Sequence, residues 1–375
     1  MSDLPWGEAR EHARAAAPAA PVLTTALAEA LGCTAASDLV ALGPVPHAAT
    51  SAMDGWAVAG EGPWVLDDGS GPLAPGRARL IVTGGVPPEG ADAVLPVEAG
   101  ELAEDRLSGT TPPPGRHIRP AGEEASRGDV IVAAGSVLTP ARLAVLAATG
   151  HDELPVRRPP RVRLLVTGDE LVTAGVPAAG RVRDVMTPML PPMLAALGVD
   201  VASVQRVPDD ARAVAEASLA DVDLVLSAGG TGRSAVDPIE GAWQSLGAEV
   251  VFRGVDMRPG HPASLAVLPD GRPWLALPGN PLAAVVTALS FVPALAAGHL
   301  GTDLAAPVSE LAAEDFRGRA GTTLVPAVRT ATGLVPAATS RPHMLRGLAD
   351  ADAVAIVPRD GVEAGRPVAV LPRVW

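Results

Sequence analysis

Apolar positions along the chain change period twice. Residues 8–31 are Ala-rich helix formers interrupted near Ala17-Pro18, a pattern that fits two helices. From 44 to 137, short apolar runs such as RARLIVTGG and ADAVLPVE alternate with Gly and Pro, which predicts the short strands of a small β-domain. SVLTPARLAVLAATG then predicts a helix with Thr139 as N-cap, Pro140 in the first turn and Gly150 as stop.

From Arg161 to about Gly301 the pattern is strand, loop, helix, repeated. RVRLLVTGDE, VDVASVQRV, VDLVLSAGGTG, AEVVFRGV and PWLALPG read as strands. TPMLPPMLAALG, ARAVAEASLA, DPIEGAWQSLG and the run from Pro281 read as helices. Asp237 is the expected N-cap of its helix, followed by Pro238, with Glu240 at the capping-box position. This alternation implies a doubly wound α/β domain, and ligands in such folds sit beyond the C-terminal ends of the strands. VTGDE, SAGGTG and LPGNP all stand at predicted strand ends, so they should converge on one crevice. Residues 304–375 return to short strands and turns. The expected organisation is an N-terminal helical region over 1–160 with a β-domain inserted at about 44–137, an α/β domain over 161–303 and a C-terminal β-domain over 304–375.

Composition narrows the function classes. At 375 residues, two to four domains are expected, and 48% hydrophobic content supports a folded chain. The net charge of −13 with no basic stripe predicts no nucleic-acid partner. The opening MSDLPWGEAR lacks the apolar core of a secretory signal, and Pro281–Leu300, interrupted by Ser, Thr, His, Gly and Pro293, reads as a buried helix and not a membrane span. Cys33 is the one cysteine, which excludes intrachain disulfides and Cys-based metal sites. A cytoplasmic location is expected. All 29 basic residues are arginine, tyrosine is absent, and Asn280 is the single asparagine.

Several short stretches carry candidate chemistry, each with a plainer reading beside it. Gly229, Gly230, Thr231 and Gly232 between a strand and a helix suit an anion cradle, or a tight turn. The stretch is neither a Walker A motif nor a dinucleotide fingerprint. Thr167, Gly168, Asp169 and Glu170 place two carboxylates at a strand end, apt for Mg²⁺ bound with a substrate phosphate, or a solvated acidic turn. Asp54 alone reads as a turn aspartate. Of Asp209 and Asp210, one is a helix N-cap. Arg258 and His261, in a rigid Pro/Gly frame, hold an oxyanion or sit in a surface loop. Asn280, before Pro281 at the first helical position, reads as an N-cap that adds no negative charge to an anion site.

In this order, SAMDGWA, VTGGVPPEGADAVLPVE, RPAGEEASRGDVIVAAGSVLTPARLAVLAATG, VTGDELV, SAGG…VDP, RPGHP and LPGNP resemble the molybdopterin molybdenumtransferase family, the MoeA and gephyrin E-domain type proteins. The resemblance covers nearly the whole chain. It implies that molybdenum from molybdate is inserted into adenylylated molybdopterin, with Mg²⁺-dependent release of AMP. It also implies an elongated homodimer with the site near the subunit interface, and a molybdopterin adenylyltransferase as upstream partner. By the same resemblance Asp54, Glu124, Glu170 and Asp237 are catalytic, and Asp54, Glu170 and Asp237 face the metal. Thr83, Thr167, Gly168, Asp169, Gly229, Gly230, Thr231, Gly232, Arg258, His261, Pro278, Gly279, Asn280, Pro281 and Ser340 line the substrate.

The chain departs from the family pattern at four places. Glu124 replaces an aspartate, and Ala235 replaces the first acid of the glycine loop, where Arg233 is new. His261 replaces a lysine, and SRPHML stands where the family has a Gly-Ser stretch. These departures leave a diverged carrier that binds molybdopterin as the alternative to an active enzyme. A peptide-holding scaffold has no positive feature in its favour.

Overall fold

The computed structural model describes residues 3–230, 237–338 and 341–371. Contacts divide the chain into two units, Leu23–Val156, and Met1–Val22 together with Arg157–Trp375. The longer helices are α1 (Trp6–Ala16), α2 (Pro140–Ala148), α3 (Met186–Ala196), α4 (Ala211–Ser218), α5 (Pro238–Leu246) and α6 (Pro281–Leu300).

In the unit Leu23–Val156, the Ala-rich pattern predicts a second helix, of which only a 3₁₀ turn at Leu27–Glu29 forms. Leu23–Ala26 is a strand, with Leu23 opposite Val156 and Thr25 opposite Leu154. Two consecutive β-branched threonines weaken the helix, and a strand partner is available to them. Cys33, Leu39, Leu138, Leu146, Leu154 and Val156 close a core there. α2 starts as its sequence predicts, with Thr139 accepting the Arg142 N–H. A six-stranded sheet lies between Gly55 and Gly109. Its period of two shows at Gly55–Val58. Trp56 and Val58 pack with Trp64 and Leu107, while Ala57 packs with Leu73 and Val94 on the other face.

The other unit is built on the α/β sheet: β1 (Arg161–Thr167), β2 (Asp200–Val207), β3 (Leu224–Ala228), β4 (Glu249–Arg253), β5 (Ser264–Val267) and β6 (Pro273–Leu277). The order is β2-β1-β3-β6-β5-β4. The first four are parallel, and β5 and β4 complete the sheet antiparallel. Val162, Leu164 and Val166 face a core shared with α1, α3 and α6. Leu165 and Val225 face the core of α4 and α5. Helices on both faces of a largely parallel sheet are the doubly wound arrangement the alternation predicts.

Residues 3–22 do not belong with the region that follows them. Ala9 and Ala13 of α1 are fully buried against the core that contains α6. Trp6 Nε1 donates to Ser290 Oγ at 3.0 Å, and Arg10 lies over the Trp6 ring and donates to the Ser290 carbonyl. The two hydrogen bonds to Ser290 span 284 and 280 positions, so no local pattern announces them. α6 is long and apolar enough to cross a membrane, and it lies almost wholly buried in this core.

AEVVFRGV reads as one strand but is divided at Gly254, which has φ +81°. Glu249–Arg253 stays in the α/β sheet, whereas Val255–Arg258 joins the sheet of the C-terminal region. There it pairs with Thr322–Thr330 on one side and Leu4–Pro5 on the other. Ala353–Val357, Pro367–Leu371 and Val308–Leu311 complete this sheet, with Gly333–Pro336 off Thr322–Thr330. The crossing at Gly254 delivers Arg258 to the edge of the C-terminal region.

Candidate active site

Register decides where the loops open. Thr167 on β1 lies opposite Val207 on β2, Val166 opposite Ala228 on β3, and Ala228 opposite Leu277 on β6. Four strands therefore end in one row. Segments 168–170, 208–210, 229–230 and 278–280 all leave from it, at the edge where α/β sheets take their ligands.

Thr167 is 4% exposed, and its hydroxyl has no hydrogen-bond partner among the described residues. Gly229 and Gly230 pass directly against it at φ +100° and +63°. A Cβ on Gly229 would stand 2.5 Å from the Thr167 carbonyl oxygen, and one on Gly230 2.9 Å from Pro238. Only glycine fits both the angles and the space; Gly229 is buried and Gly230 half-buried. Thr231, Gly232, Arg233 and Ala235 lie outside the described residues. Asp237 caps α5 as its spacing predicts, Oδ1 accepting from Ile239 N at 3.0 Å and Glu240 N at 3.2 Å. Burial pushes its carboxyl pKa up, against the pull of those two N–H groups.

Of the two aspartates left open by sequence, Asp210 is the cap of α4, accepting from Ala213 N at 2.8 Å. Asp209 instead accepts the Asp169 N–H, joining the ends of β1 and β2. The Glu170 carboxylate folds back over Gly168. This loop has an anchor that sequence reasoning missed. Arg206 on β2 donates to the Leu171 carbonyl at 3.0 Å and pairs with Asp184 at 3.8 Å. Asp184 is 5% exposed and accepts from Met186 N, Thr187 N and Thr187 Oγ1. The signal was an acid just before an apolar run with a threonine three residues on, the pattern of a helix start.

Asn280 departs from its expected role. It occupies the N-cap position of α6, yet its side chain makes no cap hydrogen bond and is exposed. The Leu282 N–H, which a cap would serve, donates instead to the Pro342 carbonyl at 3.0 Å. The helix start is thus satisfied by the C-terminal region, leaving the Asn280 amide for other partners. Pro278 is buried behind it, and Gly279 is exposed and lies beside Gly229.

His261 also departs from expectation. Its Nδ1 lies 3.1 Å from the Val255 carbonyl and 3.5 Å from Asp3 Oδ2, so the ring turns toward the N-terminal strand. Arg258 lines a cavity of about 420 Å³ with residues of the C-terminal region. Ser340 lies outside the described residues.

The remaining candidates belong to the unit Leu23–Val156. Asp54 and Thr83, 29 positions apart, meet there: Asp54 Oδ1 accepts the Thr83 N–H at 2.6 Å. Hydrogen bonding from Thr83, first its backbone N–H and then its side chain, holds the Asp54 carboxyl below its usual range. Glu124 is exposed, and its own N–H donates to the Val45 carbonyl. Among the described residues no three His, Cys, Asp or Glu side chains gather as a metal site. Asp237 and Asp54 each commit an oxygen to backbone N–H groups.

Comparison with known proteins places this geometry. Residues 4–150 match the family described as MoeA N-terminal region (domain I and II), and residues 163–297 the family described as probable molybdopterin binding domain. A molybdopterin molybdenumtransferase of Synechococcus elongatus is 33% identical over 288 residues, 68% of this chain and 70% of that protein. Molybdopterin molybdenumtransferase 2 of Mycobacterium tuberculosis is 32% identical over 313 residues, 76% of this chain and 77% of that protein. The crystal structure of a molybdopterin biosynthesis moeA protein from Pyrococcus horikoshii OT3 superposes with a TM-score of 0.79 over 98% of this chain and 99% of that one. At 21% identity this shows a shared fold.

Proposed function

The chain belongs to the molybdopterin molybdenumtransferase family, the MoeA-type proteins, and on that premise we propose that it inserts molybdenum from molybdate into adenylylated molybdopterin with release of AMP. The observation that carries this reading is the row of strand ends, with Gly229 and Gly230 pressed against the orphan hydroxyl of Thr167. A phosphate seated there meets the half-buried backbone at Gly230, and the phosphoanhydride to AMP is the bond broken. The Asn280 amide stands at the same row, and as a neutral group it adds no repulsion toward the substrate.

Oxygen donors at this row suit a hard cation. Mg²⁺ takes one or two carboxylates and completes its shell with water and substrate phosphates, so no preformed three-ligand cluster is required. Glu170 is the carboxylate assigned to it, with Asp169 and Asp209 holding the loop. When bound, Mg²⁺ supplies charge neutralisation at the phosphoanhydride. We assign the Asp54–Thr83 pair to the site of a second copy in a homodimer, and place the protein in the cytoplasm downstream of a molybdopterin adenylyltransferase.

Relatives that share about a third of its residues are named as transferases, which does not favour the diverged-carrier reading. The purified protein mixed with adenylylated molybdopterin, molybdate and Mg²⁺ is expected to release AMP. Tight binding of the nucleotide without AMP release would sink the transferase reading.

A further inference from the structure

Glu170, the carboxylate assigned to Mg²⁺, stands in a backbone stretch whose carbonyls are all taken. The Asp169 carbonyl accepts from Arg181 Nη1, and the Glu170 carbonyl from Val182 N at 3.0 Å. The Leu171 carbonyl accepts from Arg206 Nη2 at 3.0 Å, and the Val172 carbonyl from Asp184 N at 2.9 Å. The two backbone bonds belong to the parallel pairing of Leu171–Val172 with Val182–Arg183. That partner takes every second carbonyl, and arginine side chains take the two between. Arg181 reaches from the returning arm of the same loop and Arg206 from β2, so the two supports are independent. Both arginines are exposed, so core packing does not hold them there.

The Glu170 side chain is the opposite case. Its carboxylate has no hydrogen-bond or ion-pair partner among the described residues. Both of its oxygens fold over Gly168, at φ +141°, where a Cβ would stand 3.0 and 3.1 Å from them. A committed backbone beneath an uncommitted carboxylate is how a protein presents a ligand already placed for a cation.

We propose that Arg181 and Arg206 are positioning residues for Glu170, holding the peptide groups on either side of it so that its carboxylate meets a divalent cation without first being ordered. The inference rests on the transferase reading for the assignment of Glu170 to Mg²⁺. Geometry and not charge is what these side chains supply. Arg206 serves two acceptors at once, the Leu171 carbonyl and, 3.8 Å from its Nε, the buried Asp184 carboxylate at the start of α3. A guanidinium fork spans both, and a lysine ammonium does not.

Calorimetric titration of Mg²⁺ into the full chain saturated with AMP tests the proposal, with amide hydrogen exchange on the same sample. The double variant Arg181→Gln/Arg206→Gln is expected to raise the Mg²⁺ Kd about tenfold or more. Exchange at the Val182 and Asp184 amides should quicken by about the same factor, while the α6 amides keep their wild-type rates. In turnover, kcat for AMP release should fall and KM for the nucleotide stay within about threefold. In a Glu170→Gln background the arginine replacements should change the Mg²⁺ Kd no further, because they act through that carboxylate. Arg206→Lys should bind Mg²⁺ as weakly as Arg206→Gln. Arg106→Gln, at an exposed position of the other unit, is the control and should match wild type. Wild-type Mg²⁺ affinity in the double variant overturns the proposal. So does further weakening in the Glu170→Gln background, full rescue by lysine, or no Mg²⁺ binding by the wild type. Arginine-dependent Mg²⁺ binding without AMP release would leave this proposal standing and remove the transferase reading alone.

Discussion

Asp169 and Asp209 serve each other across the ends of two parallel strands. The Asp169 N–H donates to Asp209 Oδ2 at 3.0 Å, and the Asp209 N–H donates to Asp169 Oδ1 at 3.4 Å. Each carboxylate thereby occupies the backbone donor of the other loop, and the loop bearing Glu170 is tied to β2. Asp209→Ala is expected to lower the rate of AMP release tenfold or more, since loss of placement at a reacting centre is expensive. The fold should persist, because the pair is exposed. Far-UV circular dichroism and AMP release, measured together, check both halves. An unchanged rate would mean the tie does not place Glu170.

The two helix starts at the crevice predict opposite stability effects. Asp237 accepts from two N–H groups, so Asp237→Ala should cost about 1–2 kcal/mol in urea unfolding. Asn280 makes no cap bond, so Asn280→Ala should stay within about 0.5 kcal/mol of wild type. Asn280→Asp should fold equally well and bind the anionic nucleotide more weakly, because it sets a like charge beside it. Destabilisation by Asn280→Ala matching that of Asp237→Ala would return Asn280 to a capping role.

His261 touches the Val255 carbonyl and Asp3, in the region where Leu4–Pro5 joins the C-terminal sheet. His261→Ala is therefore expected to lower the melting temperature while leaving molybdate affinity within twofold of wild type. Thermal unfolding with and without molybdate separates the two effects. A selective loss of molybdate binding would restore His261 to the oxyanion site.

His299, in the last turn of α6, gives a pH prediction. Burial lowers its pKa, while the Asp223 carboxylate, 4.0 Å from Nε2, and a backbone hydrogen bond at Arg158 pull upward. A histidine with a folded pKa below its unfolded value of about 6.5 binds fewer protons when folded. Its stability is therefore intact above about pH 6.5 and declines as pH falls through that value toward the folded pKa. The wild type should lose melting temperature between pH 7 and 5.5 more steeply than His299→Gln. Parallel curves would show that another group controls this range.

What was legible in sequence was what neighbours in the chain decide. Thr139 and Asp237 sit one residue before a proline and an apolar run, so their caps follow from local spacing. The Gly229–Gly230 turn and the strand ends around it follow from alternation of period. Leu23–Ala26 was misread because an Ala-rich run favours helix locally, and only the antiparallel strand ending at Val156 decides otherwise. Asp54 and Thr83 were each singled out through family likeness, but their contact was not foreseen, since nothing in their spacing brings two turns together.

By itself the sequence determined the doubly wound core, the strand-end position of the crevice loops and the family, because periodicity, capping and turn residues act over a few positions. The tertiary structure alone decided that α1 packs on α6, that Gly254 sends Arg258 to the second sheet and that Pro342 takes the N–H a cap would have served. It also turned His261 to Asp3. Each of these joins residues distant in the chain, and such pairings are fixed by burial and hydrogen-bond completion in the assembled fold, which no local propensity encodes.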